Sequence, residues 1–525
     1  MIPDRSALDA RIGRILCHSL AESFRAEQIG LEKESLRVAP AGTIAQTPHP
    51  RALGAALTHP HLTTDFSEAL LECISPPLPG AGETLRFLEE LHRFSYLHLG
   101  EELLWCASMP CRLPPHLPIP LARYGTSNLA RMKTVYRRGL ANRYGRTMQV
   151  IAGLHYNFSY GNAFWQAYQS ALEDREDLQT FRSESYLGLV RNLQRYGWLI
   201  PYLFGASPAV DRSFARSPTD LQALDRDTLF YPFATSLRLG DIGYQNRQTE
   251  GTGMKACYDS LDAYVRSLTW AIETPCPNYE RIGIKVGDRY EQLNAHVLQI
   301  ENEYYSTVRP KQPPRDALEK PTMALRRRGV GYIELRSLDL NPFEPLGIDS
   351  DQLAFLAVFT RFCLLADSPI IRPRERRAID ENQVRTAHRG RMPNLRLDTG
   401  EAPVSLRDWA LHLIDAMVPI GELLDGDSQG IHQQSLAAQR ERVLEPDRTP
   451  SARILAEMSA NRESFVAFAR RLSERHRVAF QSPPERLTFF QQLAEDSHRK
   501  QQAIEAEDQH PFDAFLKDYF AQRPD

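Results

Sequence analysis

The chain has 525 residues, 42% of them hydrophobic, with 63 basic against 66 acidic side chains and a formal net charge of −3. That composition is ordinary for a soluble enzyme, and the near-neutral charge argues against a chain built to grip nucleic acid or an anionic membrane, since both are normally met by a basic excess. At about 150 residues per domain the length corresponds to roughly 3.5 domains, or to one large catalytic unit with a helical extension.

The opening MIPDRSALDARIGR carries Asp4 and Arg5 where a signal peptide would be apolar. No stretch approaches the ~20 apolar residues that span a bilayer, so a cytoplasmic location is expected. In IGLEKESLRV (29–38) the period-two alternation of a strand puts Glu32 and Glu34 on one face. TTDFSEALLECIS (63–75) supplies Asp65, Glu68 and Glu72. Its LLECIS end reads as a strand presenting Glu72, whereas Glu68 and Glu72 at i, i+4 suit a helix equally well, and periodicity leaves both open.

Phe87, Leu88, Leu91 and Phe94 follow helical spacing, and five prolines between 110 and 120 then predict an extended loop. In GLHYNFSY (153–160), His155, Asn157 and Ser159 share one face and Tyr156 and Phe158 the other; in GYIELRSLDL (331–340), Glu334 and Arg336 oppose Ile333 and Leu335. DQLAFLAVFTRFCLLA (351–366) is apolar nearly all round, as a buried helix should be. Residues 371–396, with eight arginines against three acids between Pro373 and Pro393, read as a solvated surface loop, the sharper alternative being electrostatic attraction of nucleotide. Ile454, Met458, Phe465, Phe468 and Leu472 mark one face of an amphipathic helix. The seven cysteines include no C-x-x-C pair and read as buried free thiols. The fold class expected is α+β, with residues 1–345 forming a catalytic antiparallel-sheet core and 346–525 a helical region packed on it.

Recurrent carboxylates carry the chemical signal. Glu32, Glu34, Asp65, Glu72 and Glu334 on one concave face would repel one another unless cations sat between them. Carboxylate oxygens with at most one imidazole suit Mg2+ or Mn2+ better than zinc, and such an ion usually completes its shell with water and substrate phosphates, which points to ATP. There is no G-x-x-x-x-G-K-[ST], and GTG (251–253) and GVG (329–331) lack the third glycine of a dinucleotide fingerprint, so a nucleotide would be held by metals and arginines over a sheet.

These segments, with YGTSN (124–128), NRYG (142–145), GWLIPYLFGASPA (197–209), YPFATSLRLGDIGY (231–244), LNAHVLQIENEYY (293–305), YIELRSLDLNPF (332–343) and SARIL (451–455), resemble in order the motifs of bacterial-type glutamate–cysteine ligase. The resemblance implies a curved antiparallel sheet like the catalytic funnel of glutamine synthetase, surrounded by helices. It also implies ATP-dependent ligation of the γ-carboxylate of L-glutamate to the amine of L-cysteine through γ-glutamyl phosphate, the first step of glutathione synthesis. Carried onto this chain, Glu32, Glu34, Asp65, Glu72, His155 and Glu334 fall at metal-ligand positions, with Arg336 at the transferring phosphoryl group. Phe66, Tyr136, Gln149, Arg238, Tyr244 and Tyr305 match the amino-acid pocket, and Arg309 and Lys311, with Arg336, the nucleotide contacts. Ser306 and Thr307 stand where the family often has proline, which implies a more mobile loop carrying Arg309 and Lys311 and weakens the case for their direct nucleotide contact. A monomer, with glutathione as a feedback inhibitor, is the further implication. The alternative is a carboxylate–amine ligase of the same fold using another amine, because an apolar slot discriminates similar side chains weakly.

Overall fold

The computed structural model describes residues 5–17, 20–215, 219–243, 254–426 and 430–523. Its organising element is a seven-stranded antiparallel sheet. The strands are β1 (Glu27–Val38), β2 (Leu62–Thr64), β3 (Leu70–Ile74), β4 (Leu103–Leu104), β5 (Leu154–Tyr160), β6 (Val308–Lys311) and β7 (Tyr332–Leu338). They lie in the order β6-β7-β5-β1-β3-β2, with β4 paired to the far end of β1.

Alternation decides which way each strand faces. Ile29, Leu31, Tyr156, Phe158, Ile333 and Leu335 are all at most 1% exposed and form the back of the sheet. Burying each contributes about 1.5–3 kcal/mol, and a one-residue slip of β1 would drive Glu32 and Glu34 into that core. Helix α1 (Gly80–Tyr96) packs on β1, and α3 (Leu178–Tyr196), which follows α2 (Asn128–Tyr144) in the chain, packs on β6 and β7. Helix α4 (Ser350–Leu365), buried at every residue from Gln352 to Leu365, packs against both α1 and α3. Arg361 of α4 reaches the sheet end, pairing with Glu27 and lying over the rings of Phe24, Phe158 and Tyr160.

The α+β architecture, the helix around Phe87–Phe94, the proline-rich extended segment and the buried helix at 351–366 all match expectation. Several other readings are corrected. The segment expected as a loop around Arg309 and Lys311 is strand β6, paired with β7; as an edge strand it tolerates Pro310, which has no N–H to give. The arginine-rich stretch holds helix α5 (Pro373–Arg389), in which Pro373 occupies the first turn, where its missing N–H costs nothing. The amphipathic face from Ile454 to Leu472 belongs to two helices, Pro450–Asn461 and Phe465–Ala479, broken at Arg462 with φ 54° and restarted by the Ser464 cap. Glu68 lies in the β2–β3 turn, not on a helix, and its carboxylate accepts the backbone N–H groups of His49 (3.0 Å) and Arg123 (2.8 Å). Five cysteines are buried, but Cys17 is exposed and Cys257 half-buried; all seven are free. Beyond residue 350 the helices are interrupted by a two-stranded ribbon, Arg396–Asp398 with Pro403–Ser405. Tyr244 and the GTG at 251–253 lie outside the described residues.

Candidate active site

Strand pairing brings the polar alternates together. Glu32 of β1 stands opposite His155 of β5, and Glu34 opposite Glu72 of β3. On the other side of β5, Asn157 faces Glu334 of β7, which in turn faces Arg309 of β6. Glu32, Glu34, Glu72, His155, Glu334 and Arg309 line one cavity of about 490 Å³. Its lining also includes Asp65, Phe66, Tyr136, Gln149, Arg238, Tyr305, Lys311 and Arg336, so every candidate residue except Tyr244, which is not described, meets in one place.

The anionic centre is tightly wired. His155 Nδ1 lies 3.1 Å from Glu32 Oε2 and 3.6 Å from Glu334 Oε1. Asn157 Nδ2 donates to Glu32 Oε1 at 2.8 Å, and the Gly153 N–H donates to Glu34 Oε2 at 2.6 Å. Glu32, Glu72 and His155 can bring one ligand atom each within 4.8 Å of the others. Burial, with the charges of Glu32, Asp65 and Glu34, pushes the Glu72 carboxyl well above the usual carboxylate range. Burial likewise raises Glu34. Burial also opposes ionisation of Glu32, but the hydrogen bond with His155 and the charges of His155 and Lys311 together outweigh it and hold that carboxyl below its ordinary value.

Glu334 is only 2% exposed, yet Lys311, Arg336, His155 and Arg309 overcome its burial and keep it well below the ordinary range. Arg336 Nη1 donates to Glu334 Oε1 at 2.8 Å, and Lys311 Nζ is 3.6 Å from Oε2, a buried oxygen with no hydrogen bond. Crowded carboxylates of which two, Glu34 and Glu72, are driven toward their protonated forms, one imidazole and an unsatisfied carboxylate oxygen fit a hard divalent cation, which would take the place of a proton.

At the other end of the cavity, Arg238 sits on a single turn, Leu237–Leu239, capped by Ser236. Its Nη1 donates to Leu338 O at 3.1 Å, its Nη2 to Arg336 O at 2.8 Å, and Asp339 lies 3.6 Å away. Gly153 permits this close packing, since a Cβ there would lie 2.2 Å from Arg238 Nη2. Phe66 is 1% exposed, and burial raises the phenols of Tyr136 and Tyr305.

Sequence reasoning did not single out Lys133 and Arg137, which α2 presents to the cavity one turn apart. Arg137 Nη2 is 3.8 Å from Asp65 Oδ1 and its guanidinium lies 4.6 Å from the Tyr124 ring centre. Burial beside Arg137 lowers Lys133 to about 8. The i, i+3, i+4 spacing of Lys133, Tyr136 and Arg137 was the available signal.

The glutamate–cysteine ligase family model matches residues 13–386. A glutamate–cysteine ligase of Alcanivorax borkumensis is 47% identical over 98% of this chain and 99% of its own length. One from Pseudomonas aeruginosa is 46% identical, over 94% of each chain. In structure the chain is similar to a glutamate–cysteine ligase of Francisella tularensis crystallised with AMP, with a TM-score of 0.87, 33% identity, and 94% and 97% of the two chains covered. The chain belongs to the glutamate–cysteine ligase family.

Proposed function

We propose that this cavity joins the γ-carboxylate of L-glutamate to the amine of L-cysteine, with ATP converted to ADP and phosphate. The observation that carries the reading is the meeting, in one cavity, of the carboxylate–imidazole cluster, the cations of β6 and β7, and the Phe66–Tyr136–Arg238 end. A carboxylate is a poor electrophile. Transfer of the γ-phosphoryl group of ATP to the glutamate γ-carboxylate makes an acyl phosphate; the cysteine amine then attacks the acyl carbon, the C–O bond to phosphate breaks, and the nitrogen loses a proton.

Glu32, Glu34, Asp65, Glu72, His155 and Glu334 are the residues that would hold Mg2+ or Mn2+, whose charge offsets the approach of two anions. Arg336, oriented by its hydrogen bond to Glu334, lies where it can stabilise the transferring phosphoryl group, and Arg309 and Lys311 hold the other phosphates. Arg238, fixed by two backbone carbonyls, orients a substrate carboxylate together with Gln149, Tyr305 and Tyr244. Phe66 and Tyr136 supply an apolar slot for the cysteine side chain.

Among the described residues no helix is long and apolar enough to cross a membrane, in keeping with our reading of a cytoplasmic enzyme, acting as a monomer. Glutathione, which contains the same glutamyl and cysteinyl groups, is read as an inhibitor competing with glutamate; inhibition unchanged at saturating glutamate would exclude a shared site. The reading as a whole is tested by phosphate release from ATP and Mg2+, expected only when glutamate and cysteine are both present. Release indifferent to cysteine would contradict it.

A further inference from the structure

We propose that the C-terminal helix α6 (Phe512–Ala521) is a wall of the nucleotide site and that Tyr519 bounds the pocket for the base of ATP. The inference rests on reading the cavity as an ATP site, and it involves a helix outside the 13–386 span matched by the family model.

Direction along the strands gives the argument. β7 runs from Tyr332 through Glu334 to Arg336 and Leu338, where Arg238 is held by the carbonyls of Arg336 and Leu338. The opposite end is where β6 and β7 part at Lys311 and Tyr332, connected by the excursion over 312–331. A triphosphate with its γ-group at Arg336 and its other phosphates on Arg309 and Lys311 must point its nucleoside toward that excursion. There the cavity is lined by Pro314, Pro321, Leu325, Tyr332 and Tyr519, apolar faces suited to a purine.

Tyr519 is held at this wall from several directions. Lys320, 3% exposed, begins the helix that carries Pro321 and Leu325. Its Nζ donates to Phe520 O (3.3 Å) and Gln522 O (3.0 Å), carbonyls at the C-terminal end of α6 that Arg523 Nη1 also contacts, and lies 5.5 Å from the Tyr519 ring centre. Phe512, Leu516 and Tyr519 pack with Met132, Val135 and Leu293, while Tyr290 donates to Asp513. At the N-terminus of α2, Asn128 Nδ2 donates to His510 O at 2.8 Å. The helix is thus bound both to the excursion and to α2, which itself lines the cavity.

The full-length protein and its Tyr519→Ala, Tyr519→Phe and Tyr519→Leu variants would be compared by calorimetric binding of ADP with Mg2+, by separate KM values for ATP, glutamate and cysteine, and by Tm. Tyr519→Ala is expected to weaken ADP binding and raise the KM for ATP about tenfold, as loss of a base-contacting ring does, with the amino-acid KM values within about twofold of wild type. Tyr519→Phe should resemble wild type. Tyr519→Leu keeps the apolar packing and should show the same split if the alanine variant unfolds. Unchanged ADP affinity in a folded Ala or Leu variant, or all three KM values rising together as Tm falls, would overturn the proposal. Failure of the wild type to bind ADP would overturn the ATP reading along with it, so the two failures are distinguishable.

Discussion

Glu34 and Glu72 stand directly opposite each other on neighbouring strands, inside a cavity that also holds Glu32 and Asp65. Like charges so placed destabilise a sheet, and Glu72 responds by shifting well above the ordinary carboxylate range. A divalent cation removes that repulsion by binding the folded state alone. At a hundredfold excess over its Kd it contributes about 2.7 kcal/mol, so Mg2+ or Mn2+ should raise Tm by a few degrees and EDTA should reverse the rise. Glu72→Gln should raise the stability of the metal-free protein and abolish the metal effect; a Tm indifferent to Mg2+ in the wild type would count against the metal assignment.

Arg336 is held by Glu334 at 2.8 Å, and its fork geometry is what a phosphoryl group in transfer needs. Arg336→Lys keeps the charge but loses the fork. It is expected to lower kcat about 10³-fold with little change in the KM for glutamate, measured by steady-state phosphate release. A loss confined to KM would assign Arg336 to ground-state binding instead.

Gly153→Ala would place a methyl group 2.2 Å from Arg238 Nη2. The neighbouring guanidinium is pinned by two carbonyls, so it cannot yield cheaply; overpacking of this kind costs about 1–3 kcal/mol. The expected result is a lower urea midpoint together with a raised KM for the amino acids. A normal KM in Gly153→Ala would remove Arg238 from the substrate pocket.

Burial lowers His49 to about 4, and His59 and His476 to about 3. For each, the unfolded chain takes up a proton near pH 6.5 while the folded protein resists, so the stability from keeping these rings neutral is present above about 6.5 and is lost as pH falls toward 3–4. Urea midpoints should therefore fall steadily below pH 6.5, and His476→Phe should flatten part of that fall. An acid limb unchanged by the substitution would assign it to other groups.

The strands that carry the chemistry were legible because a half-buried strand writes its two faces into alternate residues, as Glu32, Glu34, His155 and Glu334 do. At Glu68 the i, i+4 spacing to Glu72 mimicked a helix, and only the pairing of β2 with β3 resolves it. Helix α5 was hidden because its arginines are good helix formers with a thin apolar stripe, Ala378 and Ala387 among its buried residues, and because Pro373 starts the helix instead of breaking it. The cluster that holds both Tyr519 and Met132 joins residues nearly 400 positions apart, and no local pattern encodes packing of that range.

The most direct measurement is mass spectrometry of the product formed from glutamate, cysteine and Mg-ATP by the wild type beside Glu334→Gln, with other amines offered in parallel. The account predicts γ-glutamylcysteine from the wild type and its loss in the variant, whose Arg336, Lys311 and His155 lose their shared anionic partner. ADP without that dipeptide, or a product from another amine in its place, would contradict it.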